Sequence, residues 1–166
     1  GQIIANALAV PIGSNGQICI YSSQQTNLVA DISGYYPAGS DYSPLTPRRF
    51  LDTRPGEQTV DGRDLGTGRL AAGKTYKLDV AGRSGVLSDA SAVMMNVVAV
   101  QPSAGGFLTV WPCSETKPLA ATLNYSANQI IANALAVPIG SNGQICIYSN
   151  QQTDLVADIS GDHPGY

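Results

Sequence analysis

Gly68-Arg69-Leu70-Ala71-Ala72-Gly73-Lys74-Thr75 matches, letter for letter, the glycine-rich pattern of a phosphate-binding loop. That chemistry needs a buried strand before the loop and a helix after it, whose N-terminal amides gather around phosphate. Here the preceding Asp61-Gly62-Arg63-Asp64-Leu65-Gly66 is polar and glycine-rich, and Lys74 to Val80 (KTYKLDV) alternates like a strand. The match is read as chance, and no nucleotide binding is expected. A hydrolase triad needs an imidazole base, and His163, close to the C-terminus, is the only histidine. That nearly excludes His-based catalysis and His-rich metal sites. Asp61 and Asp64 form a carboxylate pair of the kind a glycosidase uses, but in a Gly-rich loop such residues usually cap turns. The chain is therefore not expected to be an enzyme, and no catalytic residue, cofactor or metal ligand is assigned.

Asp52 and Arg54 lie in Leu51-Asp52-Thr53-Arg54-Pro55-Gly56. One reading is a ligand or Ca²⁺ contact through hard oxygen donors. The other, favoured because no multi-ligand calcium loop surrounds them, is a turn in which Arg54 forks onto a carboxylate or carbonyls. Asn96, Asn124, Asn133 and Asp158 sit inside apolar stretches. They are expected to satisfy one another or nearby backbone as a buried polar network, with a polar binding face as the alternative. Trp111, between Val110 and Pro112, reads as core rather than as a sugar platform.

The elements that would position these residues are strands. Apolar residues make up 43% of the 166 residues and charged residues only 13%, against roughly 25% charged in an ordinary domain. Such a chain folds rather than staying disordered. Net charge is −3 and the arginines are scattered from Arg48 to Arg83, so nucleic acid is excluded as a partner. No apolar run approaches the ~20 residues that span a bilayer as a helix. Residues 92–100 (AVMMNVVAV) read as a strand with both faces covered, and Phe107 to Trp111 as another. Ile130 to Ile139 and Gln144 to Tyr148 flank Gly140-Ser141-Asn142-Gly143, which reads as a tight hairpin. Thr153 to Ser160 is a further strand, and no window carries a helical stripe. Seven or more short strands predict an all-β, antiparallel, jelly-roll-like β-sandwich.

The chain also repeats itself. Residues 2–22 and 129–149 are identical, and the match runs on to Gly34 and Gly161 with differences only at Ser23/Asn150 and Asn27/Asp154. A period of 127 residues is a whole domain, not a solenoid unit. The expected organisation is 1–34 as the last strands of a preceding repeat, 35–43 as linker, 44–161 as a complete repeat and 162–166 as tail. Residues 1–34 carry many large apolar side chains and are expected to complete a sheet across a domain or chain boundary. Ile3, Ile4, Leu8, Tyr35, Tyr36 and Tyr42 are the interface candidates.

Leu45 to Gly56 (LTPRRFLDTRPG), Arg69 to Val86, Met94 to Val100, Gly106 to Cys113, Thr122 to Tyr125 and Leu28 to Pro37 together resemble a tandem-repeat domain of secreted and surface proteins of actinobacteria, marked by its Leu-Asp-Thr-Arg signature. The resemblance implies a β fold, export to the cell surface or medium, and no catalytic residues to carry over. Asp162-His163 depart from it, standing where the other copy has Tyr35-Tyr36. In an exported chain Cys113 and Cys146 are expected to form a disulfide, closing a loop of about 33 residues that stabilises by ~2–4 kcal/mol, with two buried thiols as the alternative. Cys19 is the copy of Cys146. The leading functional expectation is a structural repeat module of a fibre, array or surface layer, whose partners are copies of itself. The alternative is a module binding carbohydrate or cell wall, with an extracellular glycan as partner.

Overall fold

The protein is described by a computed structural model covering residues 4–165; Ile3, among the expected interface residues, lies outside them. Eight strands form: β1 (Ser43–Asp52), β2 (Lys74–Asp79), β3 (Ala90–Val100), β4 (Gly106–Pro112), β5 (Leu123–Tyr125), β6 (Ile130–Pro138), β7 (Gln144–Ser149) and β8 (Asp154–Pro164). The described residues contain no helix. The strands make two antiparallel four-stranded sheets, ordered β1-β8-β3-β6 and β2-β7-β4-β5. The chain keeps switching sheets, and the resulting order is that of an eight-stranded jelly roll.

Period-two alternation builds the core. Val93, Met95 and Val97 of β3 point inward with Phe50, Leu155 and Ile159 of the same sheet. They meet Leu78, Leu108, Ile145 and Ile147 of the other sheet, and all of these are buried. The outward residues of β3, Met94, Asn96 and Val98, are only half-buried, so that strand is covered on one face rather than both. Its apolar outer face is shielded sideways by β8 and β6 instead.

The predicted hairpin at Gly140–Gly143 does not form. β6 and β7 belong to different sheets, and the turn carries the chain from one to the other. Only Gly143 of the pair Asn142-Gly143 has positive φ, at 77°, whereas a two-residue hairpin turn with Asn-Gly needs it at both. The tail assigned to 162–166 is also corrected. Asp162 and His163 belong to β8, opposite Val93 and Ala92, because β3 offers ladder partners as far as Ala90 opposite Pro164. β1 is an edge strand, and Pro44 and Pro47 remove donors from it, as edges that resist further pairing do.

Residues 4–34 form no strand. The expectation that they complete a sheet is not met within the chain: β1 to β8 all lie between Ser43 and Pro164 and already fill both sheets.

Candidate functional site

The Leu-Asp-Thr-Arg segment ends β1 and closes the sandwich. Leu51, Asp52 and Thr53 are fully buried. Asp52 accepts a forked pair from Arg54, Nε at 2.9 Å and Nη2 at 2.7 Å, and a further bond from Arg49 Nη1 at 3.2 Å. Burial alone would raise the Asp52 carboxyl, but the Arg54 side chain and backbone N–H and the two arginine charges hold it below the usual value. Thr53 grips the start of β8: its Oγ1 donates to Asp154 Oδ1 at 2.8 Å and accepts from the Leu155 N–H at 3.0 Å. The Arg54 fork is thus present as a lock, and its donors saturate the carboxylate that a ligand would need.

A second knot was not singled out from the sequence. Arg83, almost fully buried, donates to both Asp61 oxygens at 2.8 Å, to Asp64 Oδ2 at 2.7 Å and to the Phe50 carbonyl at 3.0 Å. Its guanidinium also lies over the Phe50 ring, 4.7 Å from the centroid. The Arg83 fork holds the Asp61 carboxyl well below the usual carboxylate range. Burial, then the Asp64 carboxylate, push the Tyr76 phenol up to about 12. A carboxylate held ionised by a guanidinium fork, as Asp61 is, makes a poor general acid. The signal in the sequence was the flexible Gly82-Arg83-Ser84-Gly85 turn, where both glycines and Ser84 have positive φ, downstream of the paired acids.

The remaining candidates separate. Lys74 opens β2, so the Gly68–Thr75 loop is followed by a strand and presents no helix N-terminus. Cys113 and Cys146 form a disulfide, and Cys19 is free and exposed. Trp111 is buried and donates its Nε1–H to the Glu115 carbonyl at 3.1 Å. The four polar residues expected as a buried network are not one. Asn124 is exposed, and Asn96, Asn133 and Asp158 are half-buried. Strand alternation turns Asn96 and Asp158 outward, where Asp158 takes Arg49 Nε at 3.0 Å and Asn96 accepts from Asn6 at 2.8 Å. Asn133, opposite core-facing Val97, instead lies on the inner side of edge strand β6 and donates to the Thr122 carbonyl at 2.8 Å. Tyr42 is held inside this chain. It is buried, stacks on Tyr36 with centroids 4.3 Å apart, and donates its hydroxyl to the Ser160 carbonyl at 3.0 Å. A side chain at Gly161 would collide with its ring, which is why this strand position suits glycine.

What the body leaves unexplained is the first repeat copy. Ile4, Leu8, Tyr35 and Tyr36 are exposed, as are Ile12, Ile20, Leu28 and Ile32 between them. The segment touches the body at the outward face of the first sheet, around a cleft of about 160 Å³ lined by Asn6, Leu8, Met94, Asn96, Asp158 and Ser160. There Asn6 Oδ1 also accepts the Ala134 N–H of edge strand β6 at 3.0 Å. Among the described residues no group of three or more His, Cys, Asp or Glu could hold a metal ion, and no helix is long and apolar enough to cross a membrane. The chain matches no protein-family model and no curated protein sequence.

Proposed function

We propose that this chain is a structural repeat module of an extracellular fibre, array or surface layer, not an enzyme, and that repeats or chains are joined by β-strand complementation. One observation carries the reading. Residues 4–34, near-identical to the segment that makes β6, β7 and β8, stand outside both sheets with their large apolar side chains exposed. Full burial of each such side chain is worth about 1.5–3 kcal/mol, and their backbone groups need a ladder. A second copy of the body, opened at β6 to β8, offers both. Such a head-to-tail contact propagates unless its rotation closes a ring.

The Cys113–Cys146 disulfide supports an oxidising, exported setting. The resemblance to the secreted Leu-Asp-Thr-Arg repeats of actinobacteria agrees, since here those residues serve as a fold lock rather than a reactive centre. The glycan-binding reading is weaker, because Trp111, the strongest sugar-stacking candidate, is buried. The test is a chain beginning at Asp41. It should fold as a monomer under conditions where the 166-residue chain forms higher species on sedimentation or in electron micrographs. Equal assembly by both chains would remove the mechanism.

A further inference from the structure

We infer that the seat of β6, β7 and β8 accepts residues 2–34 of the same chain as well as residues 129–161, so that one chain has two alternative frames. This deepens the complementation reading but needs no second molecule.

Topology permits it. β1 and β8 are antiparallel neighbours, with Pro44 opposite Gly161 and Ser43 opposite Asp162. With the first copy in the seat, Gly34 stands where Gly161 stands and Tyr35 where Asp162 stands, opposite Ser43, and residues 36–42 remain to close a hairpin into β1. Neighbouring strands are only ~4.8 Å apart, well within that reach. β6 is an edge strand, so chain entering the first copy reaches the seat from the open side of the sheet. The old copy, 129–161, is then released from the seat.

Contacts already place the first copy beside its counterpart. Asn6, the copy of Asn133, bonds Ala134 of β6. Tyr36, the copy of His163, stacks on Tyr42 and lies 6.1 Å from the His163 ring.

The few differences between copies divide the preference. Asn150 Oδ1 accepts the Phe107 N–H at 2.7 Å and the Tyr125 hydroxyl at 3.2 Å, bonds that the shorter Ser23 forfeits. Asp154 faces Arg69 at 3.4 Å, and Asn27 lacks that charge. Against this, Asp162 is fully buried with Oδ1 unpartnered, and the first copy replaces it with Tyr35.

Cys113 records the frame. In the present frame it is bonded to Cys146; in the other, Cys19 stands in that place. Exchange needs no oxidant. The Cys19 thiolate bonds to Cys113 Sγ, the Cys113–Cys146 bond breaks, and Cys146 leaves as a thiolate that takes up the proton Cys19 released. Because β7 and β8 are each paired on both sides, exchange requires the sandwich to open, and the disulfide holds whichever frame has formed.

The test uses the 166-residue chain with Ile147→Asp, with Ile20→Asp, and with both. Ile147 is fully buried and Ile20 is its exposed copy. Each variant is refolded from reductant in glutathione buffer at low concentration, alkylated, sized by gel filtration and digested without reduction. Trypsin leaves Cys113 and Cys146 on one fragment, because Pro118 blocks cleavage at Lys117; chymotrypsin at Tyr125 then separates them. Ile147→Asp should remain a monomer with a cooperative unfolding transition, and the partner of Cys113 should shift from Cys146 to Cys19. Ile20→Asp should keep Cys113–Cys146, and the double variant should lose the transition altogether. If Ile147→Asp has no more transition than the double variant, the two-frame inference is overturned. If it regains the transition only as a dimer or larger species, the inference is also overturned, while complementation between chains stands.

Discussion

Residues 4–34 and 131–161 are almost the same sequence in two structures. The turn is common to both. Gly16 N–H donates to the Gly13 carbonyl at 2.8 Å as Gly143 does to Gly140 at 2.7 Å. Asn15 and Asn142 each accept the N–H two residues on. Gly16 and Gly143 have φ of 76° and 77°. The strands are not common. Ile20, Leu28 and Ile32 are 57%, 59% and 89% exposed, whereas Ile147, Leu155 and Ile159 are fully buried. A turn closes over a few residues and is written locally; a strand exists only against a partner. Identical residues therefore fold as far as their own span permits, and the rest waits for a body to pair with.

The comparison is sharpened most by cavity mutations. In a chain beginning at Asp41, where no second copy can substitute, Leu155→Ala should cost about 2–5 kcal/mol in denaturant unfolding. Leu28→Ala in the full chain should stay within ~0.5 kcal/mol. Next comes the staple. Cys146→Ser in the same shortened chain should cost about 2–4 kcal/mol, and Cys19→Ser in the full chain should leave the unfolding midpoint unchanged. Then the clamp: Thr53 holds only the seated copy, so Thr53→Ala, which strips the Leu155 N–H and Asp154 of a partner, should cost about 1–3 kcal/mol.

The smallest effect concerns Asp162. Burial raises its carboxyl above the ordinary value, and the nearby Asp89 charge adds to this, while the Leu87 N–H and His163 oppose it. The folded state thus holds this proton more tightly than the unfolded one. Its favourable contribution is present below the ordinary carboxylate value and is lost as pH rises through the raised folded one. Asp162→Asn should therefore gain stability, of the order of 1 kcal/mol, at neutral pH and little at pH 3. Equal gains at both, read as the difference between two urea titrations, would contradict the assignment.

Much of the fold was legible because its signals are periodic. KTYKLD became β2, and the run AVMMNVVAV lies within β3. The repeat marked two near-identical segments, of which only the second forms strands. What stayed illegible was long-range. Asn142-Gly143 reads as a hairpin turn locally, yet the partners of β6 and β7 are β3, β2 and β4, from earlier in the chain. Of the four polar residues expected as a network, only Asn96 and Asp158 stand opposite each other, on β3 and β8; Asn133 lies on the other face of that sheet and Asn124 in the second sheet. Arg83 was missed because its partners, Asp61 and Asp64 of the β1–β2 connection and the Phe50 carbonyl of β1, lie 19 to 33 residues away in the chain. The cysteine pair succeeded because two thiols within one repeat leave few alternatives.

The antiparallel neighbourhood of β1 and β8 bears on mechanics. The path into the domain at Ser43 and the path out at Asp162 face each other across one ladder. Tension applied at those two points does not shear the ladder, which would load every bond together; it peels the strands apart from one end, a pair at a time. Each module in a stretched series would then yield early and lengthen. The extension would stop short by the span between Cys113 and Cys146, which the disulfide keeps folded back on itself.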